Sequence, residues 1–456
     1  MPLIKSISGF RGTLGGRAGE NLTAQDIVES VAAFGSMLLQ RSESKIVVIG
    51  RDGRPSGPVV SQLAAATLQM LGLDVIDLGY ATTPTVEMAV PRLAAAGGII
   101  LSASHNPVTY NALKLLGSNG EFISAADGQE MLALLESGAI TYAAVDKIGS
   151  YRESADELVH HVQAIVEHPL VAVDAIKAAG FKLVLDAVNS VGTLAIPMLC
   201  DALGVDCQTI NGQLNGQFAH NPEPLPAHLG ELMDKVKAEG ADLGVAVDPD
   251  VDRLALVGPG GQWIGEEYTL VTVADYVLRH EPGPVVSNLS SSRALADLAT
   301  SFGQTYAAAK VGEVNVVAKM KEIGATIGGE GNGGIIDPRL HYGRDSLIGL
   351  ALVLSHLAIS GKTINELRAG YPQYEMVKDK IQLTPSLDVD AILAALPGQF
   401  AEATANTEDG VKLDFKQGWV HLRKSNTEPI VRVYAEGETA AVAQDLADQV
   451  KRFVLA

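Results

Sequence analysis

Cysteine is nearly absent: the chain has only Cys200 and Cys207. Two thiols cannot make a disulfide framework or, by themselves, a zinc site, and their scarcity fits a reducing, cytoplasmic location. Basic residues are also in short supply. Lys and Arg number 34 against 53 Asp and Glu, a net charge of −19, which argues against a nucleic-acid partner, because phosphate backbones are held by basic stripes. Long apolar runs are missing too. The longest, Leu347 to Ile359, includes Ser355 and His356 and is shorter than a bilayer requires. The start, Met1-Pro-Leu-Ile-Lys-Ser, lacks a basic region followed by an apolar one, so neither a membrane span nor a signal peptide is expected.

What is present describes a compact enzyme-sized protein. Hydrophobic residues at 47% with 19% charged exclude a disordered chain. At 456 residues about three domains are expected from length alone. Arg and Lys appear inside Gly/Ser/Asn-rich loops, as in Gly9-Phe-Arg-Gly-Thr13 and Arg423-Lys-Ser-Asn-Thr427. A cationic pocket on an acidic body suits an anionic substrate.

Three segments repeat one pattern. Lys45–Gly50 passes through a Gly/Arg/Ser loop and an Ala/Leu-rich helix to Leu71–Gly79. Lys182–Ala187 passes through Asn189 and Ser190 and a helix to Leu203–Ile210. Pro284–Asn288 passes through a Ser-rich loop to Phe302–Tyr306. Each reads as strand, loop, helix, glycine stop and strand, a βαβ unit. One more apolar strand follows each unit, with an unusual exit loop: Ser102–Pro107, Asp248–Arg253 and Gly328–Gly334. Ligands of α/β sheets collect at such exits. From about residue 375 the pattern changes to two strands, Gly418–Arg423 and Ile430–Tyr434, then a helix-like run Ala440–Leu455. Four domains are expected: 1–150, 151–256 and 257–372, all α/β, and 373–456, α+β.

Two of the loops carry complementary chemistry. Ser102-Ala-Ser-His-Asn-Pro107 offers a hydroxyl, Ser104, beside His105, with Lys114 following on Tyr110–Lys114. A serine hydroxyl is a weak nucleophile unless a base activates it or a phosphoryl group is already attached. The competing reading makes Ser104 or Asn106 the cap of a following helix. Asp248-Pro-Asp-Val-Asp-Arg253 offers three alternating carboxylates. It is not an EF-hand, since Arg253 stands where glycine is needed and Pro259 where the bidentate Glu belongs. Three carboxylates so close repel unless a cation sits among them, and oxygen ligands favour Mg²⁺. A phosphoryl carrier and a cation cage are two halves of one phosphoryl-transfer site.

Gly329-Glu-Gly-Asn-Gly-Gly334 matches a dinucleotide fingerprint formally, but an extended Ile335-Ile-Asp-Pro338 follows where a helix is required. Glu330 and Asn332 suit sugar hydroxyls better. Arg423, with Ser425, Asn426 and Thr427, offers the donor mix that binds a phosphate dianion.

With these four loops in chain order, the sequence resembles the α-D-phosphohexomutase superfamily over essentially its whole length. The resemblance implies three mixed α/β domains and a C-terminal α+β domain of the TATA-binding-protein type. It makes Ser104 the phosphate carrier, Ser104, Asp248, Asp250 and Asp252 the Mg²⁺ ligands, and Lys114 the acid/base, with His105 as an alternative. Arg253 and the N-terminal Arg11 join the catalytic set. Lys310, Glu330, Asn332, Arg423, Ser425, Asn426, Thr427 and Arg432 are then the substrate contacts.

The implied reaction moves phosphate between positions 6 and 1 of a hexose through a sugar 1,6-bisphosphate, in a cytoplasmic monomer or homodimer without membrane or nucleic-acid partners. One loop departs from the family pattern Gly-Glu-x-Ser-Gly-His: Gly334 stands where the histidine falls. His341 and Arg344 are the candidates to replace it. The Asn-Gly-Gly form resembles that of phosphoglucosamine mutases and of their phosphoglucomutase/phosphomannomutase relatives, and Lys310-Val-Gly-Glu313 resembles the Lys-Val-Gly-Asp run of phosphoglucosamine mutases. The first expectation is therefore glucosamine phosphate, ahead of a phosphoglucomutase/phosphomannomutase of relaxed specificity. A catalytically silent sugar-phosphate binder and a phosphatase are the remaining alternatives.

Overall fold

The computed structural model describes residues 3–6, 9–383, 388–424 and 430–455. The chain divides into two compact units, one comprising Met1–Thr269 with Gly333–Glu366 and the other Leu270–Asn332 with Leu367–Ala456. Three mixed α/β layers and a C-terminal antiparallel sheet make up the architecture.

The first unit holds two sheets. The larger runs in the order Ile4–Ser6, Gly9–Thr13, Tyr110–Gly117, Gly97–Leu101, Ile46–Arg51, Asp74–Tyr80 and Tyr151–Glu153. Its middle strands are parallel and read as unbroken apolar runs because both faces are covered: Val47, Val48, Ile49, Ile99 and Ile100 are all fully buried. Tyr110–Gly117 returns antiparallel beside Gly97–Leu101, with Lys114 opposite Ile100. The chain thus leaves the sheet at Ser102 and re-enters at Tyr110, so Lys114 comes back beside the loop.

The smaller sheet orders Gln262–Trp263, Leu254–Gly258, Leu243–Val247, Lys182–Asp186 and Asp206–Ile210. Its helix Gly192–Leu203 stops at Gly204, whose φ of 67° suits glycine. Leu243–Val247 and Leu254–Gly258 pair antiparallel with Val247 opposite Leu254, so Asp248–Arg253 is a hairpin loop. The apolar run near residue 350 is the helix Ser346–Ser360, buried over nearly its whole length and capped by Asp345. No described helix is long and apolar enough to cross a membrane.

In the second unit, Val285–Asn288 pairs in parallel with Tyr306–Ala309 and Ile327–Glu330. Glu330, expected on a glycine loop, ends this strand: its carboxylate accepts from Asn288 Nδ2 at 2.8 Å and the Gly312 N–H at 3.0 Å. An antiparallel sheet follows, ordered Glu375–Gln382, Ile430–Gly437, Gly418–Lys424, Val411–Phe415 and Thr404–Asn406. The helices Val389–Gln399 and Ala440–Leu455 supply Leu396, Leu446 and Val450 to its core.

Candidate active site

Ser104 follows the strand Gly97–Leu101 and precedes another strand, so it caps no helix. Its φ is 48°, a left-handed conformation uncommon for a residue with a side chain. The loop is imposed from below. Arg54, fully buried, donates to the carbonyls of Ser104, Asn106, Pro107 and Tyr110 at 2.5, 2.7, 2.6 and 3.0 Å. Its Nε pairs with Asp52 at 2.9 Å, and Asp52 also accepts from Ser102 Oγ at 2.7 Å. Four carbonyls gathered on one guanidinium hold the loop in its strained shape.

The carboxylate loop is strained as well. Val251 has φ 63°, a real outlier for a β-branched residue. Asp248 Oδ1 accepts the N–H groups of Asp252 and Arg253 at 3.1 and 3.2 Å, which winds the loop around that carboxylate. Asp248, Asp250 and Asp252 are fully buried, with one oxygen from each lying within 4.8 Å of the others. Ser104 Oγ donates to Asp248 Oδ2 at 2.6 Å. The structure thus brings together two loops separated by some 140 residues of sequence.

These residues fit a divalent cation. Asp250 Oδ1 and Asp252 Oδ1 are buried and have no hydrogen-bond partner, a costly state that a cation relieves. Without one, burial and the neighbouring Asp252 and Asp250 push the Asp248 carboxyl well above its ordinary range. A bound divalent ion reverses that balance. Asp250 goes the other way: burial opposes its charge, but the Lys114 ammonium wins and holds it low. Lys114 Nζ lies 2.6 Å from Asp250 Oδ2 and 3.5 Å from Asp252 Oδ2. Burial favours neutral Lys114, yet these carboxylates raise its pKa.

Three more expected residues surround Ser104. Arg11 Nη1 donates to Asn106 Oδ1 at 3.1 Å, and its burial lowers its pKa. His105 Nδ1 is 3.4 Å from Ser104 Oγ. Arg253, burial and Arg11 depress its pKa to about 2, so the imidazole is neutral. Arg253 is mostly buried, with Nη1 3.8 Å from Glu223 Oε1.

Among the substitutes for the absent histidine, Arg344 Nη2 lies 2.6 Å from Asp252 Oδ2. His341 instead sits between Asp345 and Glu87, at 3.3 and 3.5 Å.

The remaining sugar and phosphate candidates belong to the second unit. Lys310 is exposed after the strand Tyr306–Ala309 and Glu330 is buried. Arg423 stands directly opposite Arg432 in the sheet. Like charges in that register repel, and Asp409 offsets part of that repulsion, its Oδ2 lying 3.5 Å from Arg423 Nε. Ser425, Asn426 and Thr427 lie outside the described residues.

Several residues outside the expected set also shape this site. Asp52 and Arg54 had a signal, an acid–base pair in the loop leaving the first apolar strand. Thr83 Oγ1 donates to Asp250 Oδ2 at 2.6 Å, and nothing local marks it. Ser190 Oγ donates to the Pro249 carbonyl at 2.6 Å and accepts the Gly53 N–H at 3.0 Å, tying the support of the serine loop to the carboxylate loop.

A serine hydroxyl set against a buried carboxylate cage, with arginine and lysine around it, defines a phosphoryl-transfer enzyme. Comparison with known proteins narrows the class. The four domain models of phosphoglucomutase/phosphomannomutase, the α/β/α domains I, II and III and the C-terminal domain, match residues 5–139, 159–261, 266–374 and 381–453. A phosphoglucomutase/phosphomannomutase of Thermococcus kodakarensis is 36% identical, covering 95% of this chain and 96% of that protein. A phosphoglucosamine/phosphogalactosamine mutase of Sulfurisphaera tokodaii is 32% identical, covering 96% and 97%. A solved phosphoglucomutase/phosphomannomutase family protein from Burkholderia thailandensis superimposes with a TM-score of 0.86 at 28% identity, covering 99% of this chain and 96% of that one. The chain belongs to the phosphoglucomutase/phosphomannomutase family of the α-D-phosphohexomutases, and it is a phosphohexomutase, an isomerase that moves phosphate on a sugar.

Proposed function

We propose that the protein interconverts hexosamine 6- and 1-phosphates through a phosphoryl group carried on Ser104. The observation that carries the mechanism is the 2.6 Å approach of Ser104 Oγ to Asp248, beside Asp250 and Asp252 oxygens that have no hydrogen-bond partner. Asp248, Asp250, Asp252 and the Ser104 oxygen would hold Mg²⁺, which supplies charge neutralisation to the transferring group. The bond from phosphorus to Ser104 Oγ breaks as the bond to a sugar hydroxyl oxygen forms, and the hydroxyl proton leaves to a base. The sugar 1,6-bisphosphate so formed turns over and returns its other phosphate to Ser104.

The chain's own groups divide this work. Arg54 fixes the loop, while Arg11 and Arg253 place positive charge about Ser104 for the transition state. Lys114, charged and bound to Asp250, is a proton donor as it stands. It accepts a proton only once that ion pair is broken. Neutral His105 has a free ring nitrogen but is a weak base. Arg423, Arg432 and the Ser425–Thr427 segment would hold the phosphate that does not react.

Lys310-Val-Gly-Glu313 and the 32% identity to a phosphoglucosamine/phosphogalactosamine mutase support the choice of sugar. The 36% identity to a phosphoglucomutase/phosphomannomutase supports the second reading, relaxed use of glucose and mannose phosphates. Parallel assays with glucosamine 6-phosphate, glucose 1-phosphate and mannose 1-phosphate separate the two, each with Mg²⁺ and a trace of the matching bisphosphate. The glucosamine reading requires a preference of at least tenfold. Equal rates support the relaxed enzyme, and free phosphate without isomerised sugar would make it a phosphatase.

A further inference from the structure

Beyond the carboxylate cage, the first unit contains a second convergence of ligating atoms. His161 lies on the helix Glu157–Val166, His341 lies ahead of the helix Ser346–Ser360, and Asp345 caps that helix. His161 Nε2 is 2.8 Å and His341 Nε2 3.3 Å from the same oxygen, Asp345 Oδ2. Each ring has a side-chain oxygen near its Nδ1. His161 Nδ1 is 3.0 Å from Thr85 Oγ1, and His341 Nδ1 is 3.5 Å from Glu87 Oε2. Thr85 and Glu87 sit on one helix, Thr83–Arg92, so a single element backs both imidazoles. The other oxygen of Asp345 accepts the Leu347 and Ile348 N–H groups at 2.8 and 3.4 Å, which fixes the carboxylate.

Two imidazoles turning Nε2 toward one carboxylate oxygen, each with an oxygen at Nδ1, is the arrangement that orients histidine as a metal ligand. We propose that His161, His341 and Asp345 form a second cation site, separate from the Asp248–Asp250–Asp252 cage, that takes a borderline transition ion such as Zn²⁺ or Co²⁺. Nitrogen donors select such ions over Mg²⁺. Tetrahedral bonds of about 2.0–2.1 Å place ligand atoms roughly 3.3 Å apart. The three ligand atoms here lie within 4.8 Å of one another, so modest side-chain shifts complete the shell. In the loaded form each ring carries its proton on Nδ1, facing Thr85 or Glu87, and presents the Nε2 lone pair to the ion. His341 keeps 12% of its side-chain surface exposed while His161 and Asp345 keep none, so an ion enters past His341 and water takes the fourth position. Arg344, next to Asp345, binds Asp252, which sets the new site one residue from a partner of the catalytic cage.

The test loads metal-stripped full-length protein with Co²⁺ in the presence of millimolar Mg²⁺. One Co²⁺ per chain with intense visible bands of a four-coordinate ion is expected, retained in Asp250→Asn and weakened at least tenfold in His341→Gln. X-ray absorption of the Zn²⁺-loaded wild type, again in excess Mg²⁺, needs no variant and is expected to show two imidazoles in the shell. An all-oxygen shell, or Co²⁺ lost in Asp250→Asn and kept in His341→Gln, would overturn the proposal. So would the absence of any Co²⁺ that Mg²⁺ fails to displace, which would leave the cluster a histidine–aspartate hydrogen-bond network.

Discussion

Replacing Arg54 by methionine keeps much of the side chain's bulk and removes its charge. Arg54 and Asp52 are both fully inaccessible, so the substitution strands a carboxylate in the interior, at a cost of about 3–5 kcal/mol. It also strips the carbonyls of Ser104, Asn106, Pro107 and Tyr110 of their shared donor. These losses do not add, because the freed loop can turn toward water. A local loss of about 3 kcal/mol accelerates amide exchange by roughly a hundredfold, read by hydrogen-exchange mass spectrometry on peptides covering 102–110.

The double variant Asp52→Asn/Arg54→Met removes the stranded charge and is expected to lie closer to wild type than Arg54→Met alone. The pH dependence has a definite sign. Burial already raises the Asp52 carboxyl pKa, with Arg54 opposing the rise, and without Arg54 it climbs further. A carboxyl raised in the folded state binds protons more tightly when folded, so stability is present at low pH and lost as pH rises through the folded pKa. The deficit of Arg54→Met relative to wild type is therefore smaller at pH 5 than at pH 8. Unchanged exchange in Arg54→Met, or a double variant worse than the single, would refute the reasoning.

Ser104→Ala is expected to abolish turnover and phosphate incorporation, measured by intact mass, with an unchanged circular dichroism spectrum; residual mutase activity would remove Ser104 as carrier. Ser190→Ala leaves the Gly53 N–H and the Pro249 carbonyl without their shared hydroxyl, about 1–3 kcal/mol for each group left unsatisfied, and a Mg²⁺ titration should show at least fivefold weaker binding. Arg423→Ala is expected to raise KM at least tenfold with a smaller change in kcat, and an unchanged KM would show that the phosphate is held elsewhere. Burial lowers His421 from its ordinary 6.5 to about 4. The folded second unit then binds fewer protons than the unfolded chain between those values, and it loses up to about 3 kcal/mol as pH falls through that window. His421→Asn should flatten this loss in urea titrations followed by Trp419 fluorescence.

The alternation of apolar strands, glycine stops and Ala/Leu-rich helices made the βαβ units readable, because burial on both faces leaves continuous runs such as Val47–Ile49. The serine and carboxylate loops were readable for a similar reason: phosphoryl transfer demands a hydroxyl carrier and clustered carboxylates, and both are local in sequence. The strand position of Glu330 is not readable from its glycine-rich neighbours, because the hydrogen bonds that hold it, from Asn288 and Gly312, come from distant parts of the chain.

The sequence alone therefore determined the chemistry on offer: which loops bear the hydroxyl, the carboxylates and the cations, and that they leave the ends of strands. Only the tertiary structure decided how they meet. The approach of Ser104 to Asp248, the capture of Lys114 by Asp250, the Arg54 anchor and the gathering of His161, His341 and Asp345 all join residues far apart in the chain. Their distances are set by the packing of sheets and helices between them, and no local pattern encodes such packing.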